Sequence, residues 1–207
     1  MKSFIGMLVV LFVSASFSLF AQCSPGFTGP LTATFFYTPS CSITVTYCYN
    51  ATGGVVRTEV LSIGGSIPCI TAMVTDPYFD VTKAVTDAVI LHLGTVVTYP
   101  SGGNIIPPST SSAPPTLTFE ITTHLCQRLF NDNVNQMMVI QPRPTQTGLC
   151  QRAYKVCIDF STVPLSIVKT FVSATASGLS QCSTGIPEIP NPIPDGWLSE
   201  CFMTDCE

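Results

Sequence analysis

Charge is scarce in this chain. Eight Lys and Arg and twelve Asp and Glu occur among 207 residues, and the bases never gather into a stripe. A face that neutralises phosphates needs such a stripe, so nucleic acid is excluded as a partner. Attraction to an anionic membrane surface fails for the same reason. Two histidines, His92 and His124, and no C-x-x-C pair leave too few close ligands for a zinc site. Glycine-rich phosphate loops and dinucleotide fingerprints are missing, so no cofactor is expected. After the first two dozen residues no apolar run approaches about 18, so the mature chain holds no transmembrane segment.

What is present begins with an address. The opening "MKSFIGMLVVLFVSASFSLFAQC" has Lys2 as its positive end, an apolar stretch from Ile5 to Val13, and small residues from Ser14 to Ala21. That is the pattern of a secretory signal peptide, residues 1–22, cleaved near Ala21 or Gln22. Lipid anchoring on Cys23 is the rival, but Gln22 is not the small residue such a site wants. The ending "LFAQ" resembles the export signals of Bacteroidota-type Gram-negative bacteria, a likeness of address that carries no fold.

All ten cysteines follow the signal: Cys23, Cys41, Cys48, Cys69, Cys126, Cys150, Cys157, Cys182, Cys201 and Cys206. An even number in an exported chain predicts five disulfides. The stretch "CSITVTYC", Cys41 to Cys48, alternates small residues with Ile43, Val45 and Tyr47, the period of a half-buried strand. Its two cysteines then lie roughly 23 Å apart and cannot bond each other. Their separation is odd, so they face opposite sides of the sheet. Such a strand is stapled near both ends, to different neighbours. "CQRAYKVC", Cys150 to Cys157, repeats the spacing.

Most segments alternate apolar and hydroxyl residues, among them "LTATFFYT", "VVRTEVLSI", "TLTFEITTHL", "QMMVIQ", "AYKVCIDF" and "LSIVKTFVS". The expected fold is therefore all-β and mainly antiparallel, a disulfide-stapled β-sandwich or open barrel. A hairpin from Cys41 to Ile63 turns at Gly53 and Gly54. One short helix is expected in "DVTKAVTDAVILHLG", with Asp80 as N-cap, Gly94 as stop, and Val81, Ala84, Val85, Ala88 and Leu91 on one face. It closes an open edge or end of the sheet.

Residues 23–185 form the β domain. They are either one unit or tandem halves, 23–100 and 116–185, joined by the loop 101–115, "SGGNIIPPSTSSAPP". This body holds seven acids and seven bases, while the Pro-rich tail, 186–207, adds five acids and no base. Weak self-repulsion in a neutral body promotes association. In the tail, Trp197 docks as an anchor, and Cys201 and Cys206 either close a small loop or tether the arm.

No reactive constellation stands out. "GGSIP" at Ser66 and "GLSQC" at Ser180 lack the final glycine of a nucleophile elbow. Glu120 and His124 share a strand face but sit about 13 Å apart. Asp76, Asp80 and Asp87 read as helix-start and helix-surface acids. "NDNVNQ", Asn131 to Gln136, lacks the glycine and closing glutamate of a calcium loop. The expectation is a non-enzymatic, secreted or cell-surface structural or adhesive protein, a self-associating multimer or fibre subunit. The alternative is a module that binds a glycan or glycoprotein partner through Tyr37, Tyr47, Tyr49, Tyr78 or Trp197. A secreted hydrolase comes third.

Overall fold

The computed structural model describes residues 22–96, 117–143, 147–159, 166–178, 182, 185–203 and 206. Residues 1–21 of the signal peptide and the loop 101–115 lie outside the described residues.

Alternating sequence becomes sheet as expected. The strands are β1 (Thr28–Thr38), β2 (Cys41–Thr52), β3 (Val55–Ser66), β4 (Leu117–His124), β5 (Cys126–Asp132), β6 (Met137–Pro142), β7 (Leu149–Asp159), β8 (Ser166–Ser177) and β9 (Phe202–Met203). All nine belong to one mixed, mostly antiparallel sheet that does not close. The β2–β3 hairpin turns through Gly53 and Gly54, with φ of 63° and 77°. Two successive positive φ values are what a tight right-twisted hairpin demands, and glycine supplies them without strain.

Strand β3 carries the topology. Along one side it pairs antiparallel with β2 from Val55 to Gly65. Its other side is shared: Val55–Glu59 pair parallel with β4, and Ile63–Ser66 pair antiparallel with β6. The register against β2 slips between Val60 and Ser62, leaving Leu61 as an extra residue. That bulge lies between the two pairing segments, and a bulge bends and twists its strand. The sheet therefore forks at Leu61 into a β4–β7–β8 branch and a β6–β5–β9 branch.

Two helices fill the hollow of the sheet, where one was expected. The second, α2 (Val81–Val96), is the foreseen one. Asp80 caps it, its Oδ1 accepting the Lys83 amide at 2.8 Å. Its buried face is Val85, Val89 and Leu93, flanked by Ala88 and Ile90, while Ala84 and Leu91 stay half-buried. It runs past the buried Gly94, because glycine ends a helix only where its backbone freedom is used. It packs on β1, β2 and β8, plugging the open sheet between its two edges.

The additional helix, α1 (Ile67–Thr75), follows β3 directly, with Pro68 in its first turn. "IPCITAMVT" is short and β-branched, so neither propensity nor period announces it. Packing makes it: Cys69, Ile70, Met73 and Val74 are buried, and Cys69 is bonded to Cys41. The helix lies so close to the sheet that a Cβ on Gly65 would sit 2.9 Å from Ile43 Cδ1 and 3.4 Å from Ile70 Cδ1.

The staples on β2 match expectation. Cys41 is bonded to Cys69 on the helix side, and Cys48 to Cys23 on the other face. Closing loops of this size contributes about 3 kcal/mol each, mainly by restricting the unfolded chain. The second quartet does not copy this pairing. Cys150 is bonded to Cys206, Cys182 lies against both Cys126 and Cys201, and Cys157 is buried and unbridged. The expectation of five bridges is corrected accordingly: with three sulfurs in one cluster, only one bridge can form there at a time.

The tail docks along β5. Asn131 N donates to Trp197 O and Ser199 N to Leu129 O, each at 2.9 Å, while Asn131 Nδ2 reaches Pro194 O at 2.9 Å. Trp197 packs on the core as an anchor, and Cys206 tethers the arm instead of closing a loop with Cys201. Gly65→Val should lower stability by about 2 kcal/mol, since overpacking here must push α1 off the sheet. Chemical denaturation checks it, and an unchanged midpoint would contradict the close approach.

Candidate functional site

A cleft opens where α2 plugs the sheet. Its walls are β1 residues Thr34, Phe35 and Phe36, the α1–α2 turn at Tyr78, Phe79 and Asp80, and the outer face of α2; Lys169 of β8 closes the far side. The volume is about 840 Å³, within the range of small-molecule sites.

Local sequence fixes the near wall. Tyr37 Oη donates to Asp76 Oδ2 at 2.9 Å, and the Tyr37 ring meets Phe79 edge-on, centroids 4.8 Å apart. Asp76 Oδ1 also accepts the Tyr78 amide at 2.9 Å, so one carboxylate orders the turn and binds it to β1. The hydrogen bond to Asp76 raises the Tyr37 pKa, with burial and the carboxylate's charge adding to it. The result leaves the Tyr78 ring 96% exposed and Phe36 66% exposed at the rim.

The far wall is electrostatic. Asp87 binds Lys169 at 2.5 Å and Lys83 at 3.4 Å, so one acid links α2 to β8. Lys169 Nζ also sits 5.3 Å from the centroid of the Tyr154 ring, which meets Phe171 edge-on. A second hollow, lined by Arg152, Tyr154 and Phe171, continues from here onto β8.

Strand β8 is an edge. Only β7 pairs with it among the described residues. It is 12 residues long, contains no proline, and has Lys169 as its one charge, already held by Asp87. Its register slips past Val172, and Val168, Phe171 and Val172 are about half exposed. On the opposite branch the tail runs along β5 and covers its edge.

Other residues singled out in the sequence have structural partners. Tyr47 is fully buried, its Oη 2.6 Å from His92 Nδ1. Burial raises the Tyr47 pKa, with Tyr49's charge adding to it. Tyr49 is half-buried against the core. Glu120 does not meet His124; its Oε2 accepts Arg57 Nε at 2.9 Å and Gln151 Nε2 at 3.1 Å. Asp132 caps the turn after β5 by accepting the Val134 and Asn135 amides, and Asn133 Oδ1 accepts the Gly196 amide, so the "NDNVNQ" oxygens serve turn and tail. Of the five aromatics proposed for ligand contact, only Tyr78 lines the cleft. Phe36, Asp87 and Lys169 join it only through the tertiary fold.

Compared with protein-family models, curated proteins and solved structures, the chain matches none. Among the described residues, no helix is long and apolar enough to cross a membrane.

Burial lowers the pKa of both His92 and His124, the second against an opposing pull from Glu59. The unfolded chain therefore takes up protons first as the pH drops below 6.5, and stability falls with it. The urea midpoint should decline on acidification through that value, and His92→Gln should flatten the slope. A midpoint indifferent to pH there would contradict the half-buried, neutral imidazoles.

Proposed function

We propose that this chain is an extracellular, non-enzymatic structural or adhesive surface protein that associates with further copies of itself. The observation that carries this reading is the outer edge of β8. Its row of backbone groups is unclaimed among the described residues, and apart from Lys169 its residues are apolar or hydroxylic. Natural sheets blunt such edges with charge, proline, a bulge or a cover; here β5 is covered by the tail, while β8 has no proline and, among the described residues, no cover, and its one charge, Lys169, is held by Asp87. A second β8, antiparallel across a two-fold axis, satisfies the edge of both copies at once.

The signal-like opening, the bridged cysteines and the balanced charge of residues 23–185 support the same reading. Disulfides persist in oxidising compartments, and a bridged body resists unfolding outside the cell. An export signal of Gram-negative type points to a bacterial surface. Light scattering coupled to size exclusion should find dimers or larger species whose share rises with concentration. Val168→Lys combined with Val172→Lys should return the chain to a monomer without lowering its stability. A wild-type chain that stays monomeric at high concentration contradicts the proposal.

One observation favours a second reading, a carbohydrate- or glycoprotein-binding module. The exposed ring of Tyr78 stands at a cleft that also presents Phe36, carboxylates and amines. An aromatic face stacks on the apolar face of a sugar ring while neighbouring polar groups meet its hydroxyls. A glycan array should then give hits that Tyr78→Ala weakens at least tenfold. An array without hits retires this reading and leaves the first untouched.

A further inference from the structure

Bases are few and scattered along this chain, yet the fold gathers three of the eight at one place. Lys83, Arg152 and Lys169 line two adjoining hollows beside α2. The outer hollow is the cleft of about 840 Å³ that has Phe36 and Tyr78 at its rim. The inner one, of about 320 Å³, is lined by Arg152, Tyr154 and Phe171. Asp80, Lys83 and Lys169 border both, so the two form one continuous depression.

Three separate elements supply these cations. Lys83 stands in the first turn of α2, Arg152 on β7 and Lys169 on β8. On β7, Arg152 alternates with Tyr154 and Val156, a row whose partners on β4 are Ile121, Phe119 and Leu117. Within that row of large apolar and aromatic side chains Arg152 is only 7% exposed. A charged residue withdrawn so far from water is uncommon, and this one borders a hollow instead of solid core.

The charge count selects the ligand. Two carboxylates, Asp80 and Asp87, belong to the same linings, so three cations against two anions leave one positive charge in excess. Both acids already serve the fold: Asp80 Oδ1 accepts the Lys83 amide, and Asp87 holds Lys83 and Lys169. One excess charge cannot neutralise a run of phosphates, but it suits a ligand with a single acid group on a ring. A guanidinium offers a planar fork to such an oxyanion. Each ammonium has three donors, so the lysines can meet the ligand while keeping Asp87.

We propose that the joined hollows bind an acidic saccharide, whose carboxylate or sulfate is received by Arg152, Lys169 and Lys83 while a neighbouring ring lies against Tyr78. The inference rests on the carbohydrate-binding reading and adds to it the charge of the ligand. The aromatic rim takes the apolar face of a sugar ring, and the basic end sets which sugars enter. The Lys83 side chain is 64% exposed, so its share of the attraction is open to screening by salt, whereas that of the buried Arg152 is sheltered.

The test is an array of uronate-containing, sulfated and neutral glycans of matched length, probed with the full, disulfide-intact chain at low and raised salt. Acidic glycans should bind about tenfold or more tightly than neutral ones, and should weaken as salt rises. Whichever acidic set binds tighter, uronate or sulfated, names the acid group. Lys83→Gln removes an exposed charge whose pair with Asp87 is long, 3.4 Å, so its unfolding midpoint should match that of the parent chain. It should weaken acidic hits about fivefold and flatten their salt dependence. Lys155→Gln removes an exposed base of β7 that lines neither hollow, and should leave the array unchanged. Hits confined to neutral glycans, or equal losses in K83Q and K155Q, would overturn the inference and leave the carbohydrate-binding reading standing. An array without hits would overturn both.

Discussion

Everything in this molecule leans on β3 having partners on both sides over nearly its whole length. A strand in that position must bury almost every residue, and from Val60 to Gly65 all six are buried. The bulge at Leu61 lets one strand serve two branches of sheet, because it turns the second half of β3 away from β4 and toward β6. The glycines that come after it remove side chains where α1 and β6 press closest. Through that fork both branches of the second half share one frame with the first.

The covalent bridges secure this frame at its margins. Cys41 and Cys48 face opposite sides of β2, so one bond ties the strand to α1 and the other to the segment before β1. The bridge from Cys150 to Cys206 does the same for β7 and the tail. Their effect falls mainly on the unfolded state, which loses freedom it would otherwise gain. The hydrophobic contacts of β2, β3, β4 and the two helices decide which fold forms; the bridges decide how far it can open.

Much of the fold was legible in the sequence because period two is a strong signal when one face is buried. Seven strands, the Gly53–Gly54 turn, the Asp80 cap and the opposed cysteines of β2 could all be read from it. Strand β5 was hidden because Asn131 occupies an inward position and breaks the apolar alternation; its Nδ2 donates to Pro194 O of the tail. Helix α1 was hidden because β-branched residues hold a helix only under tertiary packing. Of the cleft, Tyr78 was legible as an aromatic in a turn. Phe36, Asp87 and Lys169 were not, since they meet only when α2 comes to lie between the two edges of the sheet. The cysteine cluster was likewise out of reach, because spacing gives separations along a chain and not which three sulfurs share one place.

The two branches end differently, and the proposed self-association rests on that asymmetry. One finishes under a docked and tethered tail, the other in a twelve-residue strand that only β7 pairs among the described residues. The most direct test is hydrogen exchange along β8 and β3 in the native chain over a range of protein concentrations. Pairing between copies through β8 predicts that amides between Val168 and Ala176 gain protection as concentration rises, while those from Val56 to Ile63 are slow throughout. Exchange in β8 that ignores concentration would mean that this edge meets no second copy.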